Sequence, residues 1–320
     1  MGGTGFLGAY LLPKLIRKKH IVTVLTRSEE KAAYLESQRV NAVVGDLLQP
    51  DSFLYHLPPQ DAVISIARPG FKPGRMSSKQ FTLLQKQTTT YFSTVVQVAE
   101  NFGCPLIATL GTSFRTSGKQ VATEEWPIDR FGIAKLGEYI DPLIFMISHQ
   151  HTPPLIQMLP GEIYGPGGLF RDYMYEWIQT GQYRIIGPGN NYIPRIHVDD
   201  CAQAYVHVLE KMPVGEKFII ADDGPCTLKE FTYFMADSMD VPRPKTAPGF
   251  LTRLVMGKML YETVTMNCRV SNEKAKNELG WKLNYPTYRE GIPAAIEEIE
   301  KDNEAKRISI DSNANQTPIS

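Results

Sequence analysis

The sequence predicts an α/β fold, a doubly wound parallel sheet followed by a smaller C-terminal lobe, and three observations carry that expectation. Glycines stand at positions 2, 5 and 8 of the opening Met1-Gly2-Gly3-Thr4-Gly5-Phe6-Leu7-Gly8, directly before Leu11, Leu12, Leu15 and Ile16 at helical spacing. Short β-branched runs then alternate with helix-length segments, the pattern of βαβ units. The runs are almost continuously apolar, as strands are when helices cover both faces of a sheet.

The elements follow in order. A glycine triplet lets the backbone turn tightly, approach a pyrophosphate and pack a helix onto a sheet. Residues 6–18 form the first expected helix, with its N-terminal amides and positive dipole end aimed at that phosphate, and Thr4, Phe6 and Leu7 complete the loop that would hold it. Such a loop normally follows a buried apolar strand, so a central strand is expected ahead of Met1. Residues 21–25 read as a strand ending in Thr26-Arg27-Ser28. At this tip an acidic residue would accept from a ribose 2′-hydroxyl, whereas an arginine pairs with a 2′-phosphate. Arg27 with Ser28 therefore favours NADP, with NAD as the alternative; the plainer account of Arg27 is an exposed surface side chain. Residues 42–47 form the next strand, whose Asp46-Leu47 tip would flank an adenine, and residues 62–67 the one after, ending at Ala67. A loop rich in Gly, Pro and basic residues, 68–79, leads into a long helix over 81–102. The strand at 106–110 ends in Gly111-Thr112-Ser113, hydroxyls at the edge where such sheets bind ligands.

Composition narrows the class. At 320 residues, 42% hydrophobic and 21% charged, the chain can bury a substantial core. Lys plus Arg (34) balance Asp plus Glu (34), so no overall field favours nucleic acid or an anionic membrane. Cys104, Cys201, Cys226 and Cys268 stand too far apart for a metal-ligand spacing and read as small, partly buried apolar side chains; no metal is expected. No apolar run approaches the roughly 20 residues of a membrane span, and cytoplasm is the default location.

The second half reads less regularly. Residues 154–159 form a strand running into Pro160-Gly161-Glu162-Ile163-Tyr164-Gly165, and residues 170–179 a helix with Phe170, Tyr173, Met174 and Trp177 on what reads as a core face. His197-Val198-Asp199-Asp200 precedes a helix over 201–211; the family resemblance set out below implies that it caps this helix, with a general-base role for His197 the weaker alternative. Then come a strand at 218–221, a capping box at Thr227 and Glu230, and a proline-broken stretch at 242–248. A Met- and Leu-rich segment spans 251–263, which the family resemblance set out below implies could cover a substrate cleft, and helical segments follow at 271–280 and 286–300. Residues 1–160 would make the nucleotide domain and 161–300 mostly the substrate lobe, with segments near 186–221 returning to the first domain. The polar residues 301–320 read as a disordered tail.

Six motifs together resemble the extended and atypical short-chain dehydrogenase/reductase superfamily, in its NAD(P)-dependent epimerase/dehydratase-like branch. They are GGTGFLG, VVGDL, Phe131-Gly132-Ile133-Ala134-Lys135, LPGEIYGPGG from residue 159, and IPRIHVDDCAQAY from residue 193, with SNEKAKNELGW from residue 271 beside them. The resemblance covers almost the whole chain and implies a Rossmann-like domain whose cofactor set is Gly2, Thr4, Gly5, Phe6, Leu7, Gly8, Arg27, Ser28, Asp46, Leu47, Ala67, Lys135, Pro160 and Ile163. It also implies a Tyr-x-x-x-Lys pair: the lysine holds the nicotinamide ribose and lowers the tyrosine pKa, and a Ser or Thr binds the same substrate oxygen. Lys135 matches, and Thr112 or Ser113 can match. Phe131 does not, because it has no proton to transfer. Tyr164, Tyr139 or a bound water could substitute, although Tyr164 reads better as a wall residue and Tyr139 as a packed helix residue. The expected function is an NADP-dependent oxidoreductase or epimerase/dehydratase-like enzyme on a small carbonyl or nucleotide-sugar type substrate. The alternative is a catalytically silent NADP-binding regulator, and a homodimer is compatible with either.

Overall fold

The computed structural model describes residues 1–70 and 75–314, so part of the loop expected at 68–79, and residues 315–320 of the expected tail, lie outside the described residues. The elements run in the order α1 (Phe6–Arg17), β1 (Thr23–Thr26), α2 (Glu29–Ser37), β2 (Asn41–Val44), β3 (Val63–Ser65), α3 (Ser78–Phe102) and β4 (Leu106–Thr109). A 3₁₀ helix (Gly132–Gly137) precedes α4 (Asp141–Gln150), β5 (Leu155–Pro160) and β6 (Glu162–Tyr164). After a wide π-helical turn come α5 (Glu176–Gln179), β7 (Ile185–Ile186), β8 (Arg195–His197), α6 (Val198–Lys211), β9 (Lys217–Ile220) and α7 (Leu228–Ser238). The chain closes with β10 (Thr246–Ala247), α8 (Gly249–Met256), α9 (Lys258–Val264), α10 (Glu273–Leu279) and α11 (Tyr288–Ala314).

All strand pairs between these elements are parallel. The main sheet has the order β3-β4-β5-β9, and β1-β2 forms a second ladder beside it. Between the two stands Met1, whose ammonium donates to Ile64 O at 2.8 Å and whose carbonyl accepts from Ile66 N at 3.0 Å. Parallel pairing requires a crossover after each strand, and the helices supply it. α1 lays Leu7, Leu11 and Leu15 against Ala202, Tyr205 and Val206 of α6 on one face of the sheet. On the other face α3 buries Phe92, Val95, Val96 and Ala99 against Leu106 and Leu155. The C-terminal lobe has its own core, in which α7 and α11 pack Phe231, Met235, Ile292 and Ile296 around Tyr164 and Phe170.

Local chemistry sets the boundaries. α3 opens on a capping box between Ser77 and Gln80 and closes on Gly103 in the left-handed region, and α7 opens on the capping box at Thr227 and Glu230. His197 caps α6, its Nδ1 accepting from Asp199 N at 3.3 Å. Asp200 is fully buried at the start of the same helix, and its two carboxylate oxygens accept from Asn284 N (2.7 Å) and Tyr285 N (2.8 Å). Trp281 Nε1 donates to Asp200 O at 3.1 Å, so this one residue ties the C-terminal segment to the nucleotide side of the fold.

Three expectations need correction. Residues 301–314 continue α11 instead of forming a disordered tail, because Lys301 pairs with Glu297 one turn back and Arg171 holds Asp302 and Asn303. The stretch 170–179 is split into a π-helical turn at Phe170–Tyr175 and a short α5. Tyr139 is 58% exposed and packs into no core.

Asp222, just past β9, sets a pH dependence. Burial pushes its carboxyl up to about 7, well above an ordinary aspartate, and Oδ2 has no partner among the described residues. A folded pKa above the unfolded value of about 3.9 means that the folded state holds the extra proton between these values, so stability falls as pH rises from about 4 to 7. Asp222→Asn should flatten this component. Denaturant unfolding of both proteins at pH 5 and pH 7.5 measures it, and parallel profiles would overturn the assignment.

Candidate functional site

The site is built where the loop before α1 meets the carboxyl ends of the parallel strands. Gly2 has φ +88°, and a β-carbon there would sit 2.6 Å from Ala67 N at the end of β3's extension. A β-carbon on Gly8 would lie 2.2 Å from Gly3 O. Backbone therefore touches backbone at both places, which only glycine permits. Gly5 N closes the turn on Gly2 O at 3.0 Å, and no side chain caps α1, whose first turn contains no acidic residue. Amides without intrahelical acceptors at an uncapped helix start fit a phosphate group. Thr4 and Gly5 are exposed on this loop, whereas Leu7 and Gly8 are buried beneath it.

At the tip of β1, Arg27 is exposed and makes no ion pair among the described residues. Ser28 caps α2 by accepting from Lys31 N at 3.2 Å, so its role here is local. At the tip of β2, Asp46 accepts from Leu48 N at 3.0 Å, and Leu47 is buried with its carbonyl taking Thr94 Oγ1 at 2.9 Å. Burial and the Asp46 carboxylate raise the Tyr91 phenol above its ordinary value, and the Arg27 guanidinium opposes the shift.

The end of β4 carries the hydroxyls. Thr112 N donates to Pro160 O at 3.1 Å, and its side-chain hydroxyl is free of partners among the described residues. Ser113 is 3% exposed and committed: Oγ donates to Asp129 O at 2.6 Å while Asp129 N donates to Ser113 O at 2.9 Å. This two-way tie lays the segment carrying Phe131 and Lys135 beside the β4 loop. Lys135 is half-buried on the 3₁₀ helix and unpaired among the described residues. Phe131 is 4% exposed, with the Arg115 guanidinium 4.4 Å above its ring centroid and Arg115 Nε 2.6 Å from Asp129 Oδ2. Arg115, Thr116, Phe131, Glu262 and Met266 line a cavity of about 210 Å³ at this point.

The remaining candidates lie elsewhere. Pro160 ends β5 and is buried, and Ile163 on β6 pairs with Ile196 and packs into the core below α1. Tyr164 is 1% exposed in the C-terminal core, edge-on to Phe231 and His197. Burial raises its phenol beyond the ordinary range, its hydroxyl has no partner among the described residues, and a β-carbon on Gly291 would clash with that hydroxyl. Such a phenol is a wall residue and holds its proton. His197 is pushed down to about 4 by burial, which suits a neutral cap acceptor. Arg115, Glu262 and Thr263 stand beside Phe131 but are not singled out in the sequence. A cation three positions past Thr112 is a signal for the first; the other two end the segment 251–263 expected over a cleft, but their pairing with the Phe131 segment, some 130 residues away, has no local signal.

The model of the NAD dependent epimerase/dehydratase family matches residues 1–221. Among curated proteins, the chain is 24% identical to a 3-diazoavenalumate denitrifying reductase from a Streptomyces species, over 91% of this chain and 97% of that protein. It is 22% identical to a 2-alkyl-3-oxoalkanoate reductase of Stenotrophomonas maltophilia, over 80% of this chain and 79% of that one. Among solved structures, a human epimerase family protein crystallised with NADPH superposes with TM-score 0.74 at 18% identity, covering 92% of this chain and 97% of that one. The dTDP-glucose 4,6-dehydratase DesIV of Streptomyces venezuelae, with NAD, superposes with TM-score 0.78 at 16% identity, covering 95% and 96%.

The glycine contacts generate a direct test. Gly8→Ala forces a β-carbon into Gly3 O, so it should cost about 1–3 kcal/mol of stability and abolish retention of the dinucleotide. Thermal unfolding and calorimetric titration measure the two effects, and unchanged binding would reject the contact as the cradle's limiting dimension.

Proposed function

The chain belongs to the NAD dependent epimerase/dehydratase family, and we propose that within it the protein is an NADP-dependent reductase of a small carbonyl-type substrate that works without a catalytic tyrosine. The observation that carries this reading is the close backbone packing of the Gly2 and Gly8 loop; Phe131, buried near the β4 loop, stands where the family resemblance puts the acid. The open amides of α1 would hold the pyrophosphate, Arg27 the 2′-phosphate, and Lys135 the nicotinamide ribose. When bound, reduced NADP supplies hydride to the acceptor carbon. Thr112 would then bind the substrate oxygen with its free hydroxyl, and the proton that completes reduction would come from water, since neither Tyr164 nor Phe131 can deliver one. The two curated relatives cited above are both reductases by name, which supports reduction over epimerisation.

A second reading rests on the same phenylalanine. With the acid gone and an arginine stacked on the ring, the site also suits a protein that binds NADP without turnover.

Two experiments test the proposal: the first tests the NADP preference common to both readings, and the second separates them by turnover. NADPH should bind more tightly than NADH, because a charge-assisted pair between Arg27 and the 2′-phosphate is worth about 1.5–3 kcal/mol. Calorimetry with both cofactors measures this, and equal affinities, or a preference that survives Arg27→Ala, would reject the assignment. Phe131→Tyr should speed NADPH oxidation on a panel of aldehydes, ketones and nucleotide sugars by part of the ~10²–10⁴-fold range of general acid catalysis. Arg115 above the ring would favour the ionised phenol in that variant. Wild type and Phe131→Tyr both inert, with cofactor still bound, would favour the silent binder; turnover abolished by Lys135→Ala would exclude it.

A further inference from the structure

We propose that Thr263, assisted by Glu262, is a positioning residue that sets Lys135 by capping its helix from the C-terminal lobe. The inference rests on the reading of Lys135 as the ribose-binding lysine. The segment that carries Lys135 is only six residues of 3₁₀ helix, Gly132–Gly137, too short to hold its own shape. The first amides of any helix need acceptors, and the residue before the first turn usually supplies one from a Ser, Thr, Asp or Asn side chain. Here that position is Phe131, which offers none.

The acceptors come from α9. Ile133 N donates to Thr263 Oγ1 at 2.9 Å, and Gly132 N donates to Glu262 Oε2 at 3.3 Å. Thr263 Oγ1 in turn donates to Met259 O at 3.0 Å, which fixes the hydroxyl with a lone pair toward Ile133. The fit is close: Gly132 has φ +53°, and a β-carbon there would lie 2.3 Å from Thr263 Oγ1 and 2.8 Å from Met259 O. Glu262 also pairs with Lys258 at 3.7 Å, which keeps its carboxylate on this side of α9. Loss of the Oγ1 acceptor leaves Ile133 N unsatisfied and frees the turn that presents Lys135. The helix of the lobe that covers the cavity thus also registers the lysine that faces the cofactor.

Thr263→Val keeps the shape of the side chain and removes the acceptor; Thr263→Ser keeps the acceptor. Binding of NADPH and of adenosine 2′,5′-bisphosphate, which lacks the nicotinamide ribose, is measured by calorimetry on the full chain. Thr263→Val should weaken NADPH about five- to tenfold, the effect of one hydrogen bond, leave the bisphosphate within twofold, and be rescued by Thr263→Ser. Unchanged NADPH affinity, or equal loss of both ligands, overturns the proposal; retained bisphosphate binding also shows that the variant is folded. Lys135→Ala is expected to show the same selective loss. If it does not, the ribose role of Lys135 falls and the positioning role with it; if it does while Thr263→Val is neutral, only the positioning role falls.

Discussion

Two places where backbone meets backbone without an intervening side chain govern this molecule: Gly2 on Ala67, and Gly8 on Gly3. The second draws the start of α1 down onto its own loop and thereby fixes the direction of the helix. Once that axis is set, Leu7, Leu11 and Leu15 fall on the face opposite α6, and the two helices share one core with the sheet. Lys14 then reaches Asp199 at 2.6 Å, so that even the polar rim between the helices follows from the same alignment. The cofactor cradle and the packing of this half of the fold are one constraint seen from two sides.

The chemistry at the ends of the strands divides between two lobes. In the proposed function, phosphate recognition lies wholly in the first, on α1 and at the tips of β1 and β2. The reactive end is composite, because the β4 loop contributes Thr112, the Asp129–Lys135 segment is tied to it through Ser113, and α9 closes over Phe131. Among the described residues no helix is long and apolar enough to cross a membrane.

Much of the fold was legible because its signals are local. The glycine spacing, the β-branched runs, the capping box at Thr227 and the His197 cap each concern residues within one turn of one another, and each forms. What was illegible depended on contacts far apart in sequence. Gly132 and Gly137 weaken the helix expected around Lys135, and Pro142 favours a new start, yet only the contact with α9 explains the 3₁₀ geometry. Ser113 and Thr112 look equivalent as a sequence pair; the carbonyl of Asp129, sixteen residues on, engages Ser113 and leaves Thr112 open. Tyr164 is only the weaker candidate for proton transfer and reads better as a wall residue; its enclosure by Phe231, His197 and Gly291 from three other elements has no local signature. The helix past residue 301 likewise depends on Arg171.

Asp200 imposes an order on synthesis. Its carboxylate lies at the start of α6, fully buried, and both partners for its oxygens, Asn284 N and Tyr285 N, come more than eighty residues later. A buried carboxylate without donors is costly, so while the chain is still emerging α6 has reason to remain undocked and its apolar face uncovered. Full satisfaction of the α6 start therefore waits for residues 284 and 285, so the first half of the fold and the C-terminal segment are expected to complete together.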